Sequence, residues 1–295
     1  MDFSTFHNKY IIEGELVILT ALHIGSGKEE AEYDAPFINN NGDFLIPGSS
    51  FRGYLSTKLE RLLDIENNFN FIEKKTKERL NLGDVKLIFG YTNLSKDDKN
   101  IKNMSEIRER IKSKLRVDIS DIKEIDSMAG RIHIADMPII SEVESIKRDG
   151  IRINRDTGAT EKGAKFDYDV IPAGAKFKLY IELNNIADYQ LELIGLALKD
   201  IVEDGDLFGG KLSRGIGKCI IPKEILKISY VDSQDRDALE NYIFKGEMRK
   251  GDTKILFDIE NLTLKLKEYK NIDVENKSEV KEPNNFIKAL FKEVK

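Results

Sequence analysis

The sequence predicts an α+β fold whose core runs strand, helix, strand, strand, helix, strand. Three observations predict it. Runs rich in β-branched and apolar residues recur along the first 222 residues. Two helical stripes separate them, one after the first run and one after the third. A glycine-rich loop then leads into the last run. The 295 residues suit one large domain or two small ones.

The elements follow in order. "YIIEGELVILTALHI" (10–24) is the first strand. "GSGKEEAEYDAPFINNNGDFLIPGSS" (25–50) is a long loop with turn residues throughout. A helix follows, with Phe51, Leu55, Leu59 and Leu62 on one face and Ser49 or Ser50 as N-cap. Residues 66–82 and 99–116 read as helical; Ile101, Met104, Ile107, Ile111 and Leu115 hold that spacing. "GRIHIADMPII" (130–140) is the second strand. The basic stretch 141–165, with "RDTG" as a turn, reads as a projecting hairpin or loop. In the third strand Phe177, Leu179, Ile181 and Leu183 alternate with polar neighbours. Leu191, Ile194, Leu198, Ile201 and Val202 mark a helix over about 187–204. "KCIIP" (218–222) ends the fourth strand. This β-α-β-β-α-β order is the ferredoxin-like arrangement, shared with RNA-recognition modules. The expected division is 1–222 for this core, with insertions at about 66–129 and 141–170, and 223–295 as an acidic C-terminal extension. Within it "DVENKSEVKEPNN" (273–285) reads as a linker before a short helix.

Composition excludes several classes. No apolar run is long enough to span a membrane, and "MDFSTFHNKY" lacks a signal peptide's pattern. Cys219 is the sole cysteine, so there is no disulfide framework and no cysteine zinc cluster. His7, His23 and His133 have no zinc spacing. An intracellular, cytoplasmic protein is expected. The net charge of −5 argues against a wholly basic nucleic-acid coat. Charge is local, however. Residues 145–165 carry Lys147, Arg148, Arg152, Arg155, Lys162 and Lys165 against three acids. Residues 209–227 carry Lys211, Arg214, Lys218, Lys223 and Lys227 against Glu224 alone. Such patches can bind phosphates.

"GGKLSRGIG" (209–217) poses the sharpest question. Gly205, Gly210 and Lys211 give most of a Walker A loop, but Leu212 stands where the metal-binding Ser or Thr belongs. The loop also follows a helix rather than a strand, so no nucleotide cofactor is expected. Two readings stay open: glycines that let backbone N–H groups approach an anion, with Lys211 and Arg214 adding charge, or a tight turn with a basic tip.

Taken together, "IIEGELVILTALHIGSG", "YDAPFI…FLIPGSSFRGYL", "LIFG", "GRIHIADMPI", "RDGIRINRDTGATEKGAKFDYDVIPAGAKF" and "GGKLSRGIGKCII" form an ordered series. That series resembles the RAMP superfamily of CRISPR systems, above all the backbone subunits of type III effectors. The resemblance covers roughly residues 8–222. It implies a subunit that lines up with other RAMP subunits and a large effector subunit along a guide RNA, facing complementary target RNA, in antiviral defence. It implies a thumb hairpin at 141–170, with Arg152 and Arg155 on RNA. It places guide contacts at His23, Gly25 and Ser26, where the turn would offer N–H groups and an imidazole to phosphates. It supplies an anion for Ser49, Ser50 and Arg52 at a helix start, and for Lys211, Ser213 and Arg214 in the glycine loop.

Asp34 falls where catalytic members carry the aspartate needed for target-RNA cleavage. A carboxylate there can hold Mg²⁺ (or Mn²⁺), bound transiently with phosphate and water, or accept the proton of an attacking 2′-hydroxyl. The resemblance thus implies a metal-dependent endoribonuclease within a complex. The alternatives are a scaffold that does not cut, and a stand-alone guide-processing ribonuclease with His23 as general base. Plain structural roles remain open too. Asp34 can cap a turn, His23 a strand end and Ser50 a helix.

Overall fold

The computed structural model describes residues 5–26, 36–63, 69–92, 109–111, 113–114, 127–154 and 160–266. A long first strand, β1 (Asn8–Ile18), is the axis of the molecule. Nine residues of it pair antiparallel with Lys176–Asn184, from Lys9↔Asn184 to Val17↔Lys176. Along the chain come β2 (Ile132–Ile134), the hairpin β3 (Ile146–Ile153) and β4 (Thr160–Val170), then β5, which is Lys176–Asn184, and β6 (Asp206–Leu207). The other edge of β1 is shared. Its end, Val17 and Ile18, pairs with β7 (Lys218–Ile220), and Asn8–Glu13 pair with β8 (Lys227–Asp232). The main sheet therefore runs β6-β7-β1-β5-β2, and β8 is flanked by β1 and β9 (Arg249–Gly251).

Period-two patterning sets the faces. Ile12, Leu16 and Ile18 of β1 and Phe177, Leu179, Ile181 and Leu183 of β5 are buried together. Helix α1 (Gly48–Leu63) closes that face with Phe51, Leu55, Leu59 and Leu63. A short helix, α2 (Leu82–Phe89), and a long one, α3 (Asp188–Glu203), complete the layer, with Leu191, Ile194, Leu198 and Ile201 inward. Each such aliphatic side chain contributes about 1.5–3 kcal/mol on full burial. The α3 stripe and the β5 alternation fall where the sequence puts them.

Three local expectations are corrected. Neither Ser49 nor Ser50 caps α1. The helix starts at Gly48, whose N–H donates to Asp136 Oδ1 at 2.8 Å, a cap supplied from 88 residues away. The same Asp136 sits where the second strand breaks: Ile132–Ile134 pairs with β5, while Met137–Pro138 pairs with Asp43–Ile46. Residues 66–82 are not a helix. Phe69–Glu73 form a strand against Leu262–Leu266, and α2 begins only after a capping box at Asn81 and Asp84. Of 99–116, residues 109–111 and 113–114 are helical and the others lie outside the described residues. Residues 227–232, within the 223–295 extension, form strand β8 beside β1. Residues 273–285 also lie outside the described residues. No helix among the described residues is long and apolar enough to cross a membrane.

Candidate nucleic-acid interface

Beyond β1 the chain turns through Ala21–Ser26, and three other segments close on that turn. The Asp169–Val170 end of the hairpin arrives first: Leu22 and Ile171 exchange both backbone hydrogen bonds at 2.9 Å. Gly25 bridges Phe37, and Ser26 N donates to Pro36 O at 3.1 Å. The glycine loop arrives third. Gly210 N donates to His23 O at 2.8 Å, and Gly217 N to Ala21 O at 2.7 Å.

These bonds explain two of the glycines. Gly209 and Gly217 have φ of +94° and +96°. A Cβ on Gly209 would stand 2.8 Å from His23 O, and one on Gly217 2.6 Å from Phe208 O. Both serve close packing of backbone on backbone within the protein. The loop's middle folds as a 3-10 turn, Leu212–Arg214, entered through Lys211 at a left-handed φ of 58°. The strand β7 follows it.

That turn presents its cations to aromatic faces. Lys211 Nζ lies 4.8 Å from the Tyr168 ring centre, and the Arg214 guanidinium 4.5 Å from that of Phe166. The two rings stack at 6.4 Å and 22°, on the base of the hairpin. Phe166 sits opposite Gly150 in the β3–β4 register. Asp149, Gly150, Ile151, Phe166, Tyr168 and Arg214 border a hollow of about 430 Å³. Neither Lys211 nor Arg214 has an ion-pair partner among the described residues.

His23 lies under this platform, 4% exposed and edge-on to Tyr168. Its Nδ1 is 2.7 Å from the Asp169 carbonyl oxygen. Burial lowers its pKa below the ordinary histidine value, and the Lys211 and Arg214 charges push the same way. The Asp169 carboxyl is shifted upward, because burial outweighs its hydrogen bonds.

On the other side of the glycine loop is a cleft of about 710 Å³, whose lining includes Gly25, Ser50, Lys58, Gly209 and Gly210. Its lysine is already neutralised: Lys58 Nζ is 2.5 Å from Asp200 and 2.6 Å from Asp206. Tyr54 also donates to Asp206 at 2.7 Å. Burial alone would raise the Asp206 pKa, but the bonds from Lys58 and Tyr54 hold it below the usual range.

The turn, the hairpin base and the glycine loop all fall in one stretch of chain, and the family model for the RAMP superfamily matches residues 15–220. The chain belongs to the RAMP superfamily. It is also 28% identical over 227 residues to the CRISPR system Cms endoribonuclease Csm3 of Methanocaldococcus jannaschii, covering 74% of this chain and 80% of that protein.

The candidate residues of this RAMP protein are unevenly distributed. His23, Gly25 and Ser26 form the turn; Lys211, Ser213 and Arg214 form the loop tip beside it; Ser50 faces the shared cleft. Ser49 is exposed in the first turn of α1. Arg52 is outside the core and turned elsewhere, donating to the Phe89 carbonyl and lying 5.9 Å from the Phe89 ring. Arg152 belongs to β3, but its side chain lies outside the described residues, as do all of Arg155 and Asp34. Among the described residues no group of three or more His, Cys, Asp or Glu side chains could hold a metal ion. Sequence reasoning missed Phe166 and Tyr168. The signal was there: in "FDYD" they are two apart in a strand, hence on one face.

Proposed function

We propose that this chain is a backbone subunit of a type III CRISPR ribonucleoprotein, gripping guide RNA by its backbone and cutting complementary target RNA with Asp34 and a divalent metal. One observation carries the grip. Among the described residues Lys211 and Arg214 have no carboxylate partner; they stand on a stacked aromatic pair, next to a glycine-bearing turn. Cations so placed suit phosphates, and contacts of that kind position RNA without reading its sequence. A guide scaffold has that requirement, since guides differ. The strand order β7-β1-β5-β2, with α1 and α3 on one face, supports reading the core as ferredoxin-like.

Cleavage rests on the likeness to an endoribonuclease and on the position of Asp34 in "EYDAPFI". Pro36, two residues on, is hydrogen-bonded to Ser26 in the turn. Bound Mg²⁺ or Mn²⁺ would supply charge at the scissile phosphate. The partners would be guide RNA, target RNA, further RAMP subunits and a large effector subunit.

The test is target cleavage by the assembled complex with guide, Mg²⁺ and complementary RNA, native against Asp34→Ala. Regularly spaced cuts that vanish in the variant, with guide binding intact, are expected. Equal cutting in both would move the chemistry to another residue or subunit. Target binding without cutting in either would leave a scaffold.

A further inference from the structure

We infer that His23 presents Nε2 as a fixed hydrogen-bond acceptor for a ribose 2′-hydroxyl, so that this turn distinguishes RNA from DNA. The inference rests on the RNA-binding reading above and specifies what the imidazole contributes to it.

Nδ1 of His23 faces a backbone carbonyl. At 2.7 Å from the Asp169 carbonyl oxygen, it must carry a proton, because a carbonyl only accepts. In a neutral imidazole Nε2 then holds the lone pair. The neutral form is favoured by burial and by the Lys211 and Arg214 charges. Nε2 has no hydrogen-bond partner among the described residues.

His23 is 4% exposed, and the residues flanking its Nε2 edge are two glycines. Gly25 is exposed, and a Cβ there would stand 3.5 Å from Nε2. Gly210 is on the other side, its would-be Cβ 3.4 Å from His23 Cδ2. With no side chain at 25 or 210, neither residue covers the ring edge.

A lone pair cannot pair with a phosphate oxygen, which also accepts. This departs from the expectation that the imidazole meets phosphates. The sugar–phosphate backbone has one donor that is independent of sequence, the 2′-hydroxyl. DNA lacks it. Phosphates would go to Lys211 and Arg214, 2′-hydroxyls to His23.

The experiment uses the full chain and a short unstructured single strand, made as RNA and as its 2′-fluoro analogue. The fluorine keeps an RNA-like sugar but cannot donate. Native protein should bind the RNA about 3- to 10-fold more tightly. His23→Asn keeps a donor toward Asp169 and has no atom at Nε2, so its preference should fall to within about two-fold. His23→Gln, which can place an acceptor near Nε2, should restore part of it. Gly25→Val should also abolish the preference, by covering Nε2 while leaving the ring in place. A native preference that survives in both His23→Asn and Gly25→Val overturns the inference, as does a native protein with no preference. Failure of the native chain to bind either strand is a distinct result: it sinks the RNA-binding reading, and this inference with it.

Discussion

Two groups of cations in this molecule are held in opposite ways. Under α2 and α3, Arg110 Nε lies 3.0 Å from both oxygens of the fully buried Asp84, and Arg110 also pairs with Glu78. Lys114 pairs with Glu73 at 2.6 Å, and Tyr189 donates to Asp84 at 3.0 Å. Arg110 and Lys114 thus each have carboxylate counter-charges inside the protein. At the hairpin base, Lys211 and Arg214 have aromatic faces and no carboxylate among the described residues. A saturated network ties a segment to the core. An unsaturated one is free to meet an anion from outside. Charge count alone cannot separate the two; the partners can.

The largest expected effect comes from breaking the saturated network. Asp84→Ala leaves the Arg110 charge buried without its main partner, which should cost about 3–5 kcal/mol. The denaturant midpoint should fall accordingly. If Asp84→Ala proves near-neutral, the segment bearing Arg110 is not pinned by charge and the comparison loses one side.

Next comes the frame between the two regions. Gly217→Ala combines a φ of +96° with contacts at 2.4 Å to Leu212 Cδ2 and 2.6 Å to Phe208 O. A cost of about 1–3 kcal/mol follows from the backbone alone, before any clash. Gly215→Ala has a φ of +74° but open space around it, so it should cost less. RNA affinity should fall with Gly217→Ala and stay near native with Gly215→Ala. The reverse order would mean that Gly215 makes way for the ligand backbone and that packing is not the loop's chief constraint.

Removing the unsaturated cations should do the opposite of Asp84→Ala. The double variant Lys211→Ala, Arg214→Ala should keep its unfolding midpoint within about 0.5–1 kcal/mol of native. Its affinity for single-stranded RNA should drop about tenfold or more at low salt. The slope of log affinity against log salt should flatten by about 1.4, two phosphates' worth for a single strand. An unchanged slope would show that these cations do not touch phosphate.

Legibility followed sequence distance. β1, β5 and α3 were readable because alternation or helical spacing is written into consecutive residues. So was the hairpin, whose basic run is local. The cap of α1 was not, since Asp136 is 88 residues from Gly48. Nor was the Phe69–Glu73 strand, whose partner Leu262–Leu266 lies in the tail. At the site, residue types announced the loop and the turn, but not which cations would find acids at home. Lys58 and Lys211 look alike in sequence, yet Lys58 is paired with Asp200 and Asp206. Arg52 has the helical phase of a core residue and still ends up outside the core, on the Phe89 carbonyl.

The smallest expected effect concerns pH, and it links the cations to His23. An unfolded histidine takes up its proton near pH 6.5. In the folded protein burial, followed by the Lys211 and Arg214 charges, lowers that pKa. Between the two values the unfolded state binds more protons, so stability rises with pH. The contribution is complete above about pH 6.5 and is lost as pH falls through the folded value. Tyr168 and Asp169 also face the ring, and the Asp169 carbonyl and the charge of its carboxylate both favour the proton-bearing form, without outweighing burial. Acids with lowered pKa values, such as Asp206, act only at lower pH. His23→Asn should therefore lose less stability than native protein between about pH 7.5 and pH 5.5. The Lys211→Ala, Arg214→Ala variant should fall between them, because it removes two of the charges that oppose protonation but leaves the burial. Identical acid sensitivity in all three would mean that His23 is protonated as readily folded as unfolded, and that the cations above it do not sense its charge.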